Sequence, residues 1–267
     1  MGREGGEMRF RGKVAIVTGA GGGLGAVYAT ALAREGGVVV VVDRPGSAVE
    51  AAASAIRTSG ASCLAVAADL TEADQVTRLV GTTLDAYGRI DILINNAGGG
   101  SSSPGNAGNI AEETPESWDL LVDSNLKTAF LCTRAVAESM KRQRYGKIVN
   151  VSSRSARITD ANVHQSPAYA CAKTAVLGLT RFAARELGPY GITVNCIVPC
   201  LTISGPVLQA YWDRMGDDGQ ARFLEQFALR RLPRPEDLAA VVLFLCSEES
   251  RCVTGVALDA NCGSFMP

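Results

Sequence analysis

The sequence predicts an α/β fold: one doubly wound parallel sheet of about seven strands with helices on both faces. Three observations carry this. Short apolar runs alternate with longer segments of helical period, the order of repeated strand–helix–strand units. The second run, VVVVVD (Val38–Asp43), is apolar almost throughout, as a strand covered on both faces should be. A glycine-rich turn joins the first run to a helix, a junction where backbone can approach closely.

The elements follow in order. KVAIVTG (Lys13–Gly19) is the first strand, and Ala26–Glu35 has helical spacing that ends at Gly36-Gly37, a C-terminal stop. Val38–Asp43 is the second strand, SCLAVAADL (Ser62–Leu70) the third and DILINNAG (Asp91–Gly98) the fourth. Thr114-Pro115-Glu116 supplies an N-cap, a proline at the first helical position and an early acid, so a helix starts there. GKIVNVSS (Gly146–Ser153) is the fifth strand, and a helix-periodic segment runs from Tyr169 through Leu187. ITVNCIVP (Ile192–Pro199) is the sixth strand; a helix over Pro235–Cys246 precedes VALDA (Val256–Ala260), the seventh. Gly98–Asn109 and Leu201–Gln220 read as mobile. Both follow strands, which puts them at the carboxyl edge where open α/β sheets bind ligands.

A chain of 267 residues fits one domain over 1–267, with residues 1–11 as a flexible extension. Apolar residues are 47% and charged residues 20%, which excludes a disordered chain. Lys and Arg number 26 against 27 Asp and Glu, so no basic field exists for nucleic acid. No apolar run approaches the ~18 residues of a membrane span, and MGREGGEMRF lacks the apolar core of a secretory signal. The eight cysteines form no C-x-x-C pair and there is one histidine, so neither a disulfide scaffold nor a zinc site is expected. Buried thiols in a reducing cytoplasm fit instead.

The first strand runs into Thr18-Gly19-Ala20-Gly21-Gly22-Gly23-Leu24-Gly25 and then a helix. Backbone N–H groups in such a turn, with the helix N-terminus behind them, suit a pyrophosphate. A tight structural turn would look the same. Asp43 ends the next strand, where an acid accepts from both adenosine ribose hydroxyls and repels a 2′-phosphate. That favours NAD. Arg44 can pair with a 2′-phosphate and keeps NADP as the runner-up.

Tyr169 and Lys173 stand four apart and share a helix face. A cation beside a phenol favours the phenolate, so the pair can give acid–base chemistry for a carbonyl–alcohol conversion.

These motifs together resemble the classical short-chain dehydrogenases/reductases, whose fold is a single Rossmann-type domain. The resemblance rests on Thr18-Gly19-x-x-x-Gly23-Leu24-Gly25, Asn95-Asn96-Ala97-Gly98, Asn125 in SNLKTAF, Val151-Ser152-Ser153, Tyr169-x-x-x-Lys173 and Pro199 after NCIV, and it spans about Gly12 to Gly263. It implies that Tyr169 is the general acid/base, that Lys173 holds the nicotinamide ribose and lowers the tyrosine pKa, that Ser153 bonds the substrate oxygen, and that Asn125 anchors a water. It also implies a cofactor site of Gly19, Gly22, Gly23, Leu24, Gly25, Asp43, Arg44, Asp69, Leu70, Asn96, Ala97, Gly98, Tyr169, Lys173, Pro199, Thr202 and Ser204. Ser152 and Ser155 compete with Ser153. The resemblance further implies a homotetramer, or else a dimer, paired through the helix at Tyr169, whose Ala175, Val176, Leu179, Phe182 and Ala183 suit either an interface or a core.

The chain departs from the family pattern in three places. Cys200 replaces the usual glycine after Pro199, as pocket lining, as a change in the local backbone or as a reactive thiol. The stretch from Ser153 to Tyr169, about three residues longer than usual, holds Arg154, Arg157, Asp160 and His164; the resemblance implies that this loop borders the substrate, with His164 either a substrate contact or an exposed loop residue. Asp259-Ala260-Asn261-Cys262-Gly263 replaces the usual Asp-Gly-Gly. Residues 200–225 form a substrate lid; Leu201, Ile203, Val207, Leu208, Tyr211, Trp212 and Phe223, with Phe227 just beyond, suit either a hydrophobic or cyclic secondary alcohol or ketone or the core packing of a lid helix. A carrier-protein 3-oxoacyl reductase using NADPH, with Lys141-Arg142-Gln143-Arg144 as docking patch, and a non-catalytic dinucleotide sensor are the competing readings.

Overall fold

The computed structural model describes residues 8–100, 110–158 and 166–267. Seven parallel strands form one sheet in the order β3-β2-β1-β4-β5-β6-β7: β1 Val14–Thr18, β2 Val38–Asp43, β3 Cys63–Ala67, β4 Ile92–Asn95, β5 Gly146–Val151, β6 Ile192–Ile197 and β7 Ala257–Leu258. The strand order reverses between β1 and β4, so the loops after these two strands part and leave a crevice at their carboxyl ends.

Alternation along the strands divides the core. Ala15, Val17, Val39, Val41, Ile92 and Ile94 face one side, with α1 (Gly23–Arg34), α2 (Val49–Thr58) and α9 (Pro235–Cys246). Val14, Ile16, Val40, Val42 and Leu93 face the other, against α3 (Ala73–Tyr87), α5 (Thr128–Gln143) and α6 (Pro167–Leu187). Both faces are covered, which explains why the strand sequences are continuous apolar runs.

The expected helix start at Thr114 is real. The Thr114 side chain accepts from Ser117 N (3.2 Å) and opens α4, Pro115–Val122. Several boundaries differ from the sequence expectation. The third strand ends at Ala67, two residues before Asp69, and the fifth ends at Val151, where Ser153 caps a 3-10 turn at Arg154–Ala156. Residues 200–225 hold two helices, α7 (Pro206–Asp213) and α8 (Gly216–Leu224). Phe10, expected in a flexible extension, is 1% exposed and packs in the core, while Arg9 pairs with Glu35; the chain is anchored from there because an aromatic ring gains more from burial than its backbone loses in freedom. The helix at Tyr169 splits its apolar stripe: Val176 and Ala183 are buried, whereas Ala175 is exposed and Phe182 is 71% exposed. Among the described residues no helix is long and apolar enough to cross a membrane, and no cluster of three metal-ligating side chains occurs.

Candidate active site

A cavity of about 830 Å³ opens at the carboxyl edge of the sheet. One end is the turn after β1. Gly19 there has φ +62°, and a Cβ on it would stand 2.8 Å from Ala97 Cα. A Cβ on Gly25 would collide with the Gly19 carbonyl oxygen, so α1 can sit this close to the turn only without a side chain at that position. Asn96 pins the turn to β4 by donating from Nδ2 to Thr18 O (3.0 Å) and Gly19 O (3.1 Å). Thr18 Oγ1 accepts from the backbone of Asn96 and Ala97, both at 3.0 Å. The sequence-predicted Gly19, Gly22, Gly23, Leu24, Asn96 and Gly98 line this end, with Ser204 near Gly23.

Asp43 ends β2 beside the turn. Its Oδ2 accepts from Gly21 N and its Oδ1 from Arg44 N, both at 2.8 Å. Each carboxylate oxygen keeps a lone pair for a further donor. Arg44 is exposed. Asp69 lies past β3, where the hydroxyl and backbone N–H of Thr71 hold its carboxyl below the usual range; the neighbouring Leu70 is buried in the core. Asp43, Arg44, Asp69, Leu70, Gly25 and Ala97 stand outside the cavity lining proper.

The other end holds Ser153, Tyr169 and Lys173. Ser166 caps α6 by accepting from Tyr169 N (3.3 Å) and donates to Glu113 (2.6 Å), which fixes the first turn of the helix. Helical spacing brings Lys173 Nζ to 5.7 Å from the Tyr169 ring centre. The ammonium donates to Val151 O (2.9 Å) at the end of β5. Burial pushes Lys173 down to about 8. Burial pushes the Tyr169 phenol above its ordinary value, with Ser153 acting against it. This corrects the sequence expectation of a phenol lowered by the neighbouring cation: desolvation of the phenolate outweighs any help from a lysine that is itself buried and turned to a carbonyl.

Ser153 Oγ lies 3.1 Å from Ser155 Oγ and accepts from Ser155 N (3.2 Å). Both serines line the cavity. Ser152 also lines it, but its hydroxyl donates to Lys173 O (2.7 Å) and thereby ties β5 to α6. Asn125 sits in a π-helical turn, Asp123–Lys127, between α4 and α5. Its Nδ2 donates to Leu121 O (2.9 Å) and Gly99 O (3.1 Å), and its buried Oδ1 has no partner among the described residues.

Pro199 O accepts from Arg154 N (2.7 Å), and Thr202 Oγ1 donates to Cys200 O (3.1 Å). Cys200 lines the cavity and burial pushes its thiol up to about 12, which favours the lining role over a reactive thiol. Arg157 pairs with Asp259 (3.0 Å), joining the extended loop to the altered C-terminal segment. His164 and Asp160 lie outside the described residues, as does most of Gly98–Asn109. Sequence reasoning did not select Gly100, where an added Cβ would meet the Tyr169 ring at 3.7 Å, or Arg214 of the lid. A lone glycine in a Gly-Ser run and an arginine at a helix end give no signal of their own.

The residues present fit a dinucleotide. The turn is stripped of side chains where a pyrophosphate needs backbone N–H groups, and a carboxylate with lone pairs to spare ends the neighbouring strand beside it.

Comparison with known proteins agrees. The family model described as short chain dehydrogenase matches residues 13–213. The chain is 40% identical over 276 residues to a cyclohexanol dehydrogenase of Rhodococcus sp., covering 95% of this chain and 96% of that one. It is 34% identical over 257 residues to a 3-oxoacyl-[acyl-carrier-protein] reductase of Staphylococcus epidermidis, covering 95% and 99%. A levodione reductase structure superposes with a TM-score of 0.86 at 30% identity, covering 96% of this chain and 98% of that one.

Proposed function

Because the chain belongs to the short-chain dehydrogenase/reductase family and is an oxidoreductase, we propose that it interconverts a secondary alcohol and a ketone on a small hydrophobic or cyclic molecule, with NAD(H) as cofactor. The observation that carries this is one cavity with Ser153, Tyr169 and Lys173 at one end and the glycine turn at the other.

Gly19, Gly22, Gly23, Leu24 and Gly25 would hold the pyrophosphate by backbone N–H groups, with Thr202 and Ser204 from the facing loop. Asp43 would accept from the adenosine ribose, while Asp69, Leu70, Asn96, Ala97 and Gly98 flank the adenine half. A bound nicotinamide would supply the hydride chemistry for the alcohol–ketone conversion. Tyr169 Oη accepts the alcohol proton in oxidation and returns it in reduction. Ser153 Oγ donates to the substrate oxygen and fixes it within reach of that phenol. Lys173 donates to the nicotinamide ribose and supplies positive charge beside Tyr169. Asn125 holds a water on the proton path, for which its orphaned Oδ1 is suited.

Asp43 supports NAD over NADP, since a 2′-phosphate there meets a carboxylate. The 3-oxoacyl-[acyl-carrier-protein] reductase relative supports the alternative, NADPH-dependent reduction of a carrier-bound thioester. Its docking patch is weakened here: Lys141 pairs with Glu138 (3.2 Å) and lies over Tyr190, and Arg144 donates to Pro189 O (3.1 Å). We assign the protein to the cytoplasm as a homotetramer, or else a dimer, through the outward face of α6 at Phe182.

The test is absorbance of the reduced nicotinamide with NAD and, separately, NADP against cyclic, aromatic and aliphatic secondary alcohols. Tyr169→Phe is expected to lose at least ~10²-fold in turnover with dinucleotide affinity unchanged. Asp43→Ala is expected to relax discrimination against NADP. Full turnover by Tyr169→Phe removes Tyr169 from its role, and a wild-type preference for NADP overturns the reading of Asp43.

A further inference from the structure

Three cations line the cavity, Lys173, Arg154 and Arg214, and no carboxylate does among the described residues. Lys173 belongs to the chemistry above; the two arginines do not. Arg154 directly follows Ser153 and is 5% exposed. Its guanidinium lies against the Phe223 and Phe227 rings, at 5.9 and 6.0 Å, and donates to Gln226 Oε1 (3.3 Å). Arg214 stands at the C-terminal end of α7. Its Nε donates to Ala210 O (3.2 Å), and its two terminal nitrogens have neither an acceptor nor an ion-pair partner among the described residues.

The position of Arg214 separates it from the glycine turn. The helix α7 begins at Pro206, just after Ser204, which is near Gly23. Eight residues at a rise of ~1.5 Å carry the chain about 12 Å further along the helix axis. Between these ends, Val207, Leu208 and Tyr211 line the cavity. The lid therefore offers an apolar surface along its length and a positive charge at its far end. An arginine fork matches a carboxylate or a phosphate, and a cavity lined by one sign of charge concentrates the opposite one.

We propose that this site takes an anionic substrate: a secondary alcohol or ketone carrying a carboxylate or a phosphate-bearing arm, with Arg214 as the residue that selects it. The proposal rests on the oxidoreductase reading for the reacting end of the substrate. Arg154 lines the same cavity, held by its contacts with Phe223, Phe227 and Gln226.

Calorimetry tests this without turnover, so its outcome is independent of whether dinucleotide reduction is seen. The probes are cyclohexanecarboxylate against cyclohexanecarboxamide, and 4′-phosphopantetheine against pantetheine, each with wild type saturated with NADH or NADPH. One anion is expected to bind at least about tenfold more tightly than its neutral partner, and which pair shows this tells a carboxylate from a phosphate arm. The preference should fall to near parity in Arg214→Gln, an exposed position where the fold is not at risk, and in about 0.5 M salt. Equal binding within both pairs, or a preference that survives Arg214→Gln, overturns the proposal.

Discussion

Lys173 leaves a measurable mark on stability. Its ammonium is buried beneath α6 and has one carbonyl partner, and its pKa falls from the ordinary 10.5 to about 8. Between these values the unfolded chain holds a proton that the native chain has released, so stability rises with pH across that window. At 1.36 kcal/mol for each pH unit, the native state carries a penalty of about 3 kcal/mol at pH 7, which falls to about 1 kcal/mol by pH 10. Replacing Lys173 with Met removes the titration and keeps most of the volume. The assay is urea unfolding of wild type and Lys173→Met at pH 7, 8, 9 and 10, at one protein concentration. Groups shared by both proteins, including the buried Lys147 with its lowered pKa, cancel in the comparison. The lost bond to Val151 O adds an offset that does not vary with pH. Wild type is expected to gain roughly 2 to 3 kcal/mol on the variant between pH 7 and pH 10. Parallel curves would refute the reasoning and mean that Lys173 is solvated in the native state.

Three further outcomes follow from the packing. Gly25→Ala, which in an ordinary helix stabilises by up to ~1 kcal/mol, should instead lower the melting temperature and weaken dinucleotide binding, because the new Cβ falls on Gly19 O; a rise in melting temperature would refute this. Phe10→Ala should cost about 3 kcal/mol in urea unfolding, where a truly flexible extension would cost nothing. A disulfide-exchange reagent should label Cys171 and Cys252 first, with Cys63, Cys132, Cys196 and Cys246 reacting on unfolding and Cys200 slowly; rapid loss of Cys200, followed by mass spectrometry, would reverse its assignment as a passive wall.

Much of the site was legible because its signals are local. A glycine turn, an acid at a strand end and a tyrosine four residues before a lysine are each set by short-range geometry, and the strand–helix junction and the helix repeat turn them into positions in space. Ser153 was harder to separate from its neighbours in sequence. In the structure Ser152 is spent on Lys173 O, leaving Ser153 and Ser155 together at the cavity. Arg154 was legible only as a member of the loop bordering the substrate; its contact with Phe223 and Phe227, about seventy residues away, left no mark in the sequence.

The sequence by itself determined the sheet and its class, through apolar runs too continuous for any strand with a wet face, and it determined the order of the motifs along the chain. Tertiary structure alone decided charge states and allegiances. Whether the Tyr169 phenol is raised or lowered depends on how much water burial removes, which no i, i+4 spacing records. Whether Phe182 faces the sheet or solvent depends on the rotation of α6 against β5 and β6, and whether Phe10 is tail or core depends on the surface that α1 and β2 present to it. These are sums over neighbours distant in the chain, and they exist only once the chain has folded.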